Sequence, residues 1–409
     1  MRSSLGRERA ILIGKTVCLA ALCGLAFAYC AYNIVTIARY SESYSPDEGN
    51  YLAMARRLLQ EHTYSFWGLG PDAYVSPGYP LFLAGCMAVF GTDAQGVDCI
   101  KFVQAGLVAL TVLLVFLQGY LLTKKYSVGI VAAALLACNG SYPFYSRRLL
   151  TEVLFVFTMM LFFVVLTLAL QREKWWLHLL AGALLCVAVF VRPLLVVVLP
   201  VAYLPLLVKY WRQWRKFFLP FGLFLLGFVL VGLPWWVRNL VTLHKFIFLA
   251  TQTNPLFAGL AEDPAALGLE DPGSFTGNIA LFFQLLFTRP VETIRWMLVQ
   301  KFDINFMRSV TEIQYLPTIT TFVKNVTLFL GLLGALRALF SHKLVWPALT
   351  FFLYFLSIFA FVPSSRYALQ YLPLLAVFAG YGAAALFTGT GRAGNPFRRE
   401  KRDVPARPE

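Results

Sequence analysis

The chain has 409 residues, 59% of them hydrophobic and only 13% charged, with a formal net charge of +15. Soluble domains carry roughly 25% charged residues. Here continuous apolar runs recur from end to end, which implies a polytopic helical membrane protein and excludes a β-barrel, whose strands alternate. Much of the positive charge lies in short loops between apolar runs, where it reads as a topology signal and an attraction for membrane lipid headgroups, not as a surface for nucleic acid.

The N-terminus carries Arg2, Arg7, Arg9 and Lys15 around the start of an apolar run from Ile11 to Ile37. Ala26-Phe27-Ala28 mimics a signal-peptidase site, but the run exceeds the roughly 7–15 residues of a signal-peptide core. An uncleaved first span over 11–35 is expected. A first loop follows over 39–92, with a short apolar stretch at 78–90. Further spans are expected at 100–122, 128–145, 153–170, 177–191, 194–208 and 217–237. A large, partly amphipathic loop covers 238–317, and spans at 318–340, 344–362 and 367–387 complete a domain ending at 388. Residues 389–409 are basic, contain Pro and Gly, and are expected to form a disordered tail.

Counting positive charges puts both termini, Lys124-Lys125, Arg172, Lys174, the cluster from Lys209 to Lys216 and Lys343 in the cytoplasm, provided 78–90 does not cross. That arrangement has ten spans. The outer face of the plasma membrane then receives Asp47-Glu48, Arg147-Arg148, Glu152, Arg192, Arg238 and Arg366. The arginines there either converge on an anion or are scattered by chance. The seven cysteines form no CxxC pair and the four histidines are dispersed, so packing is expected of them before disulfides or zinc.

Ser45-Pro46-Asp47-Glu48 matches a helix start: Ser45 as N-cap, Pro46 in the first turn, Glu48 closing a capping box. Tyr51, Leu52, Ala55, Leu58 and Leu59 then form one apolar stripe, as in a helix lying along a membrane surface. Both acids have a purely structural reading, favouring a helix N-terminus. Capping would use Glu48 and leave the Asp47 carboxylate free. Tyr74-Val75-Ser76-Pro77-Gly78-Tyr79-Pro80-Leu81 reads as a rigid entry to the next segment or an ordinary turn. In Ser146-Arg147-Arg148-Leu149-Leu150-Thr151-Glu152, Arg148 and Glu152 are i,i+4 neighbours if both are helical and would pair. Otherwise Glu152 is a second acid facing Asp47. In Pro363-Ser364-Ser365-Arg366-Tyr367, the arginine either snorkels to the interface or clamps a phosphate.

In order and sidedness these motifs, with Pro234-Trp235-Trp236-Val237-Arg238-Asn239, resemble the GT-C superfamily of membrane glycosyltransferases. More narrowly they resemble its protein O-mannosyltransferase-like group, which includes the bacterial aminoarabinose transferase of lipid A. The resemblance covers most of 1–388. It implies an all-α polytopic membrane protein with a GT-C-like helical bundle and amphipathic helices in the outer loops. It also implies a sugar donor linked to a polyprenyl phosphate, transferred to a lipid, glycan or protein acceptor. Carried over by position, Asp47 acts on the acceptor as general base or as the group orienting its hydroxyl, with Glu48 and Glu152 shaping an acidic pocket. Arg366, Arg148, Arg192 and Arg238 are the candidate donor-phosphate ligands, and Tyr51, Tyr79 and Tyr367 the pocket lining. No cofactor is fixed: metal dependence varies across the superfamily, and a divalent cation on Asp47 and Glu152 stays open.

A carboxylate near the hydroxyl and arginines on the departing phosphate suit a single inverting displacement. His244, Gln252, Asn254 and Asp303 are candidate sugar or acceptor contacts from the large loop. The rival readings are a secondary transporter, which predicts internal repeats with Gly- or Pro-broken segments in matching positions, its lipid-linked sugar flippase variant, which predicts basic residues along a continuous path, and a subunit without catalysis.

Overall fold

The structure is a computed structural model and describes residues 2–37, 45–308 and 317–387. The start of the first loop (39–44) and the 389–409 tail lie outside the described residues. Those described form an all-helical bundle with no strand. In chain order the helices are α1 (Arg2–Ile37), α2 (Pro46–Gln60), α3 (Gly78–Phe90), α4 (Ala94–Thr123), α5 (Tyr126–Ala137) and α6 (Ser141–Ser146). There follow α7 (Thr151–Arg172), α8 (Trp175–Val191), α9 (Leu204–Lys209), α10 (Trp214–Leu243) and α11 (Asn254–Phe257). The rest are α12 (Phe275–Thr288), α13 (Pro290–Ile294), α14 (Pro317–Leu339), α15 (Val345–Ser357) and α16 (Leu372–Phe387). Of these, α1, α4, α7, α10 and α14 are long and apolar enough to cross a membrane, and the chain is a multi-pass membrane protein.

Several expected spans are not continuous α-helices, and two break near their middle. The segment 128–145 divides into α5 and α6, with the Asn139 side chain accepting from the Ser141 N–H at the break. The segment 194–208 is a 3₁₀ turn at Pro193–Val198 followed by the six-residue α9. Pro193, Pro200 and Pro205 interrupt helical hydrogen bonding there. Helix α3 has 13 residues, about 20 Å at 1.5 Å per residue, against a hydrocarbon core of about 30 Å.

Helix α7 is the hub. Of its apolar window 78% is buried, against 17% for α1, so α1 packs at the rim and α7 in the middle, against α4 and α8. Small residues let backbones approach where lipid offers no hydrophobic drive to associate. A Cβ on Gly182 of α8 would lie 1.7 Å from the Phe224 carbonyl of α10. At Gly78 a Cβ would meet the Phe190 backbone at 2.7 Å, so glycine there lets the start of α3 close on the end of α8.

One polar residue in an otherwise apolar run ties this packing to the site. Gln104 on α4 is fully buried. Its amide donates to the carbonyls of Ser146 (2.9 Å) and Arg148 (2.8 Å), and its oxygen accepts from the Tyr79 hydroxyl (3.1 Å). The turn entering α7 is therefore fixed from below. The charged groups separate between the two ends of the bundle. Lys124 reaches Gln171, and Lys209 reaches Glu173, at one end. Asp47, Glu152, Arg192 and Arg366 gather at the other.

Candidate active site

Helix α2 begins as the capping box requires. The Ser45 hydroxyl accepts from the Glu48 N–H (3.4 Å), and the Glu48 carboxylate accepts from the Ser45 N–H (2.8 Å). Glu48 also accepts from the Leu149 N–H (2.8 Å) and pairs with Arg148 (2.8 Å) while 2% exposed. Its carboxylate thus welds α2 to the turn before α7. The next residue back, Asp47, points into a pocket of about 400 Å³.

Around that pocket, Arg366 donates to Asp47 (3.0 Å), and its Nε lies 3.9 Å from Glu152. Arg192, from the residue closing α8, pairs with Glu152 (2.5 Å) and donates to the Thr151 hydroxyl (2.9 Å) and the Gln370 side chain (3.4 Å). Tyr367 lies under both guanidinium groups, at 5.3 Å from Arg192 and 5.2 Å from Arg366. Burial works against the charge on Arg366, but Glu152, Tyr367 and Asp47 outweigh it and hold its pKa above that of an ordinary arginine. Burial, then the neighbouring Asp47, pushes the Tyr51 hydroxyl well above the usual tyrosine range, so Tyr51 enters the pocket as a neutral group.

Two buried polar atoms in the lining have no hydrogen-bond partner, the Ser76 hydroxyl and one Glu152 carboxylate oxygen. Leaving such atoms unpaired costs about 1–3 kcal/mol each. Together they mark a place for a polar ligand.

The sequence-derived candidates divide. Asp47, Glu152, Arg192, Arg366, Tyr51, Tyr367 and Gln252 line this pocket. Glu48 and Arg148 do not; they satisfy each other behind it. The expected Arg148–Glu152 pair is absent because α7 starts at Thr151, so Arg148 is not on the helix. Arg147 lies over the Phe144 ring, outside the lining. Arg238 donates to the carbonyls of Asp72 (2.6 Å) and Tyr64 (3.0 Å) and pins the first loop. Tyr79 is turned into the core toward Gln104. His244 caps α10 with φ 54°, Asn254 donates to the Tyr74 hydroxyl, and Asp303 pairs with Arg308. Sequence reasoning missed Gln104, Ser76, Thr151 and Gln370. Only Gln104, polar inside an apolar span, carried a readable signal.

The donor set does not fit a divalent ion. Among the described residues no three of His, Cys, Asp and Glu converge, and Arg366 contacts Asp47 on one side while facing Glu152 on the other. A fixed cation therefore already stands between the two acids.

Residues 74–237 match the sequence model of the dolichyl-phosphate-mannose-protein mannosyltransferase family. No curated protein matches the chain in sequence. Among solved structures, ArnT from Cupriavidus metallidurans, bound to undecaprenyl phosphate, superposes with a TM-score of 0.51 at 13% identity, over 90% of this chain and 60% of that one. The Archaeoglobus fulgidus oligosaccharyltransferase tethered to an acceptor peptide gives 0.53 at 13% identity, over 91% and 50%. The chain thus spans half to three-fifths of the length of these relatives and shares their fold, the GT-C-like helical bundle expected from the sequence motifs.

Proposed function

We propose that this chain is an integral membrane glycosyltransferase that moves a sugar from a polyprenyl-phosphate donor to a lipid, glycan or protein acceptor at the outer face of the membrane. The observation that carries the reading is the Asp47–Arg366 contact beside the Glu152–Arg192 pair in one pocket. A half-exposed carboxylate with one guanidinium partner there adjoins two arginines able to hold a phosphate. The family match over 74–237 and the fold shared with a structure holding undecaprenyl phosphate support the same chemistry.

In this mechanism the acceptor hydroxyl lies against Asp47. Its oxygen bonds to the anomeric carbon as its proton passes to the Asp47 carboxylate. The bond from that carbon to the phosphate oxygen breaks, and the electron pair leaves with the polyprenyl phosphate. Arg366 and Arg192 stabilise the growing negative charge in a partly desolvated site, where fixed donors count for more than in water. Attack opposite the leaving group inverts the anomeric centre. Glu152 holds both arginines in place, and its unpaired oxygen, with the Ser76 hydroxyl, is available to the sugar. No step passes through a metal.

The test is transfer from a panel of radiolabelled polyprenyl-phosphate sugars in membranes carrying wild type or Asp47→Asn. Removal of a positioned base lowers rates by roughly 10²–10⁴-fold, so the variant should insert normally and lose transfer. Full activity in Asp47→Asn removes that residue from the chemistry. Absence of transfer from every donor, with the lipid-linked sugar crossing the bilayer instead, overturns the transferase reading.

A further inference from the structure

A second cavity, of about 300 Å³, lies beside the active-site pocket and is almost entirely apolar. Leu256 and Leu260, Ile279 and Phe282 of α12, Met297, and Ala360 form its main walls. The two cavities share a partition. Pro255, Ile358 and Phe361 face the active site, whereas Leu256, Phe359 and Ala360 face the second cavity. The Val362 N–H donates to the Pro255 carbonyl at 2.7 Å and fastens the two halves of the partition together.

The other side of this cavity is bounded by an unusual surface. Phe275, Ile279, Phe283 and Phe287 recur every four residues along α12 and are all exposed, and exposed Val291, Ile294 and Leu298 extend the stripe. Such a stripe on a loop helix of a membrane protein lies in the bilayer interface. Phe275 and Ile279 belong both to the stripe and to the cavity lining, so the cavity opens toward lipid. Inside, Asn278 is 2% exposed, and its amide donates to the Ser274 carbonyl at 3.0 Å. Its side-chain oxygen has no partner. An apolar chamber with one unused acceptor fits a hydrocarbon chain that carries an N–H or O–H.

We infer that this cavity holds the hydrocarbon chain of a lipid acceptor drawn sideways from the bilayer, with an amide or hydroxyl on that chain donating to Asn278. The inference rests on the transferase reading and names the acceptor class for the same site. The chain anchors next to the partition, and the attached headgroup hydroxyl reaches Asp47 on its far side. The volume accommodates roughly ten water-sized groups at ~30 Å³ each. That suits one acyl segment, and because an isoprenoid tail carries no N–H or O–H to donate to the unpartnered Asn278 oxygen, the occupant is assigned as the acceptor chain.

The test uses full-length protein in liposomes of phosphatidylethanolamine and phosphatidylglycerol, with photoactivatable N-acyl ethanolamines of increasing chain length as probes. Crosslinks should map to Leu260, Phe282 and Met297. Capture should strengthen about fourfold per methylene until the cavity is full, near ten carbons, and then level off. Ala360→Trp or Met297→Trp, each filling the chamber, should abolish these crosslinks. Asn278→Leu should weaken capture of the amide probe several-fold and leave the matching ester probe unchanged. Label confined to Phe283 and Phe287, independent of chain length and insensitive to the filling variants, overturns the inference. Equal or better capture of a photoactivatable polyprenyl phosphate inside the chamber also overturns it, by giving the cavity to the donor. Crosslinking needs no turnover, so a failed transferase assay and an empty cavity are separable results.

Discussion

Helix α7 carries a carboxylate at each end, and the two behave differently. Glu152, in the first turn, is 2% exposed and pairs with an Arg192 side chain that is 13% exposed. Glu173, just past the last turn, is 33% exposed and pairs with a Lys209 side chain that is 55% exposed, with a second bond from the Tyr210 hydroxyl at 2.7 Å. The helix dipole favours an acid at the N-terminal end and disfavours one at the C-terminal end. Solvent and two partners answer the unfavourable placement of Glu173. At the other end burial removes the solvent, so Glu152 depends on its arginines. Contacts that look alike in a list of ion pairs thus differ in what they can do. The exposed one trims an interface, and the buried one holds charge ready in a pocket.

Removing the buried partner should break this contrast most visibly. Arg192→Ala leaves Glu152 desolvated, with only Arg366 nearby, and should cost about 3–5 kcal/mol, read as a lowered unfolding midpoint of the purified protein in detergent. Adding Glu152→Gln should return part of that loss. An unchanged midpoint would mean that solvent reaches Glu152 freely.

Lys301 sharpens the comparison as a buried cation without an acid. It is fully buried, donates to the Phe359 carbonyl at 2.5 Å and lies 5.8 Å from the Trp296 ring centre. Burial pushes its amine down from 10.5 to about 7. Above pH 7 the unfolded chain holds a proton that the folded one lacks, so stability rises with pH toward 10.5. Below pH 7 both forms are protonated and the dependence from this group ends. The slope is on the order of 1.4 kcal/mol per pH unit, so denaturant midpoints at pH 7, 8 and 9 should climb in wild type and stay flat in Lys301→Met.

Smaller effects follow. Arg366→Ala should weaken binding of a polyprenyl phosphate about tenfold, on the order of 1.4 kcal/mol, measured by titration in detergent. Unchanged affinity would make Arg366 only an anchor at the interface. Glu173→Gln should change stability by less than about 1 kcal/mol, with transfer unaffected. A large loss there would erase the distinction between the two ends.

The sequence makes the class of fold readable, since runs of apolar residues state where helices lie. It also places Asp47, Glu152, Arg192 and Arg366 among the candidates, because charged groups at the ends of apolar runs need a reason to be there. What it could not assign was partnership. Asp47 and Glu48 are adjacent, yet one faces the pocket and the other is consumed by Ser45, Leu149 and Arg148. The capping pattern hinted at that split, whereas the choice of Arg148 for Glu48 depends on contacts about a hundred residues away. The Arg148–Glu152 alternative needed both residues on one helix, and the turn before Thr151 keeps Arg148 off it. Span 194–208 is largely apolar, but Pro193 before it and Pro200 and Pro205 within it stop a continuous helix from forming. Gln370 and Thr151, which orient Arg192, have no signature outside the folded site.

The weld at Glu48 also sets a schedule for making the protein. Its bond to Leu149 joins positions 101 residues apart, and the Asp47–Arg366 contact joins positions 319 apart. A ribosome adds roughly 5–20 residues per second. Glu48 therefore waits about 5–20 s for Arg148 and Leu149, and Asp47 waits roughly 15–60 s for its guanidinium. Until then each acid sits in the nascent chain without its permanent counterion, Glu48 for the shorter time and Asp47 for the longer. The earliest chemistry-bearing residues to be synthesised are among the last to be set in place.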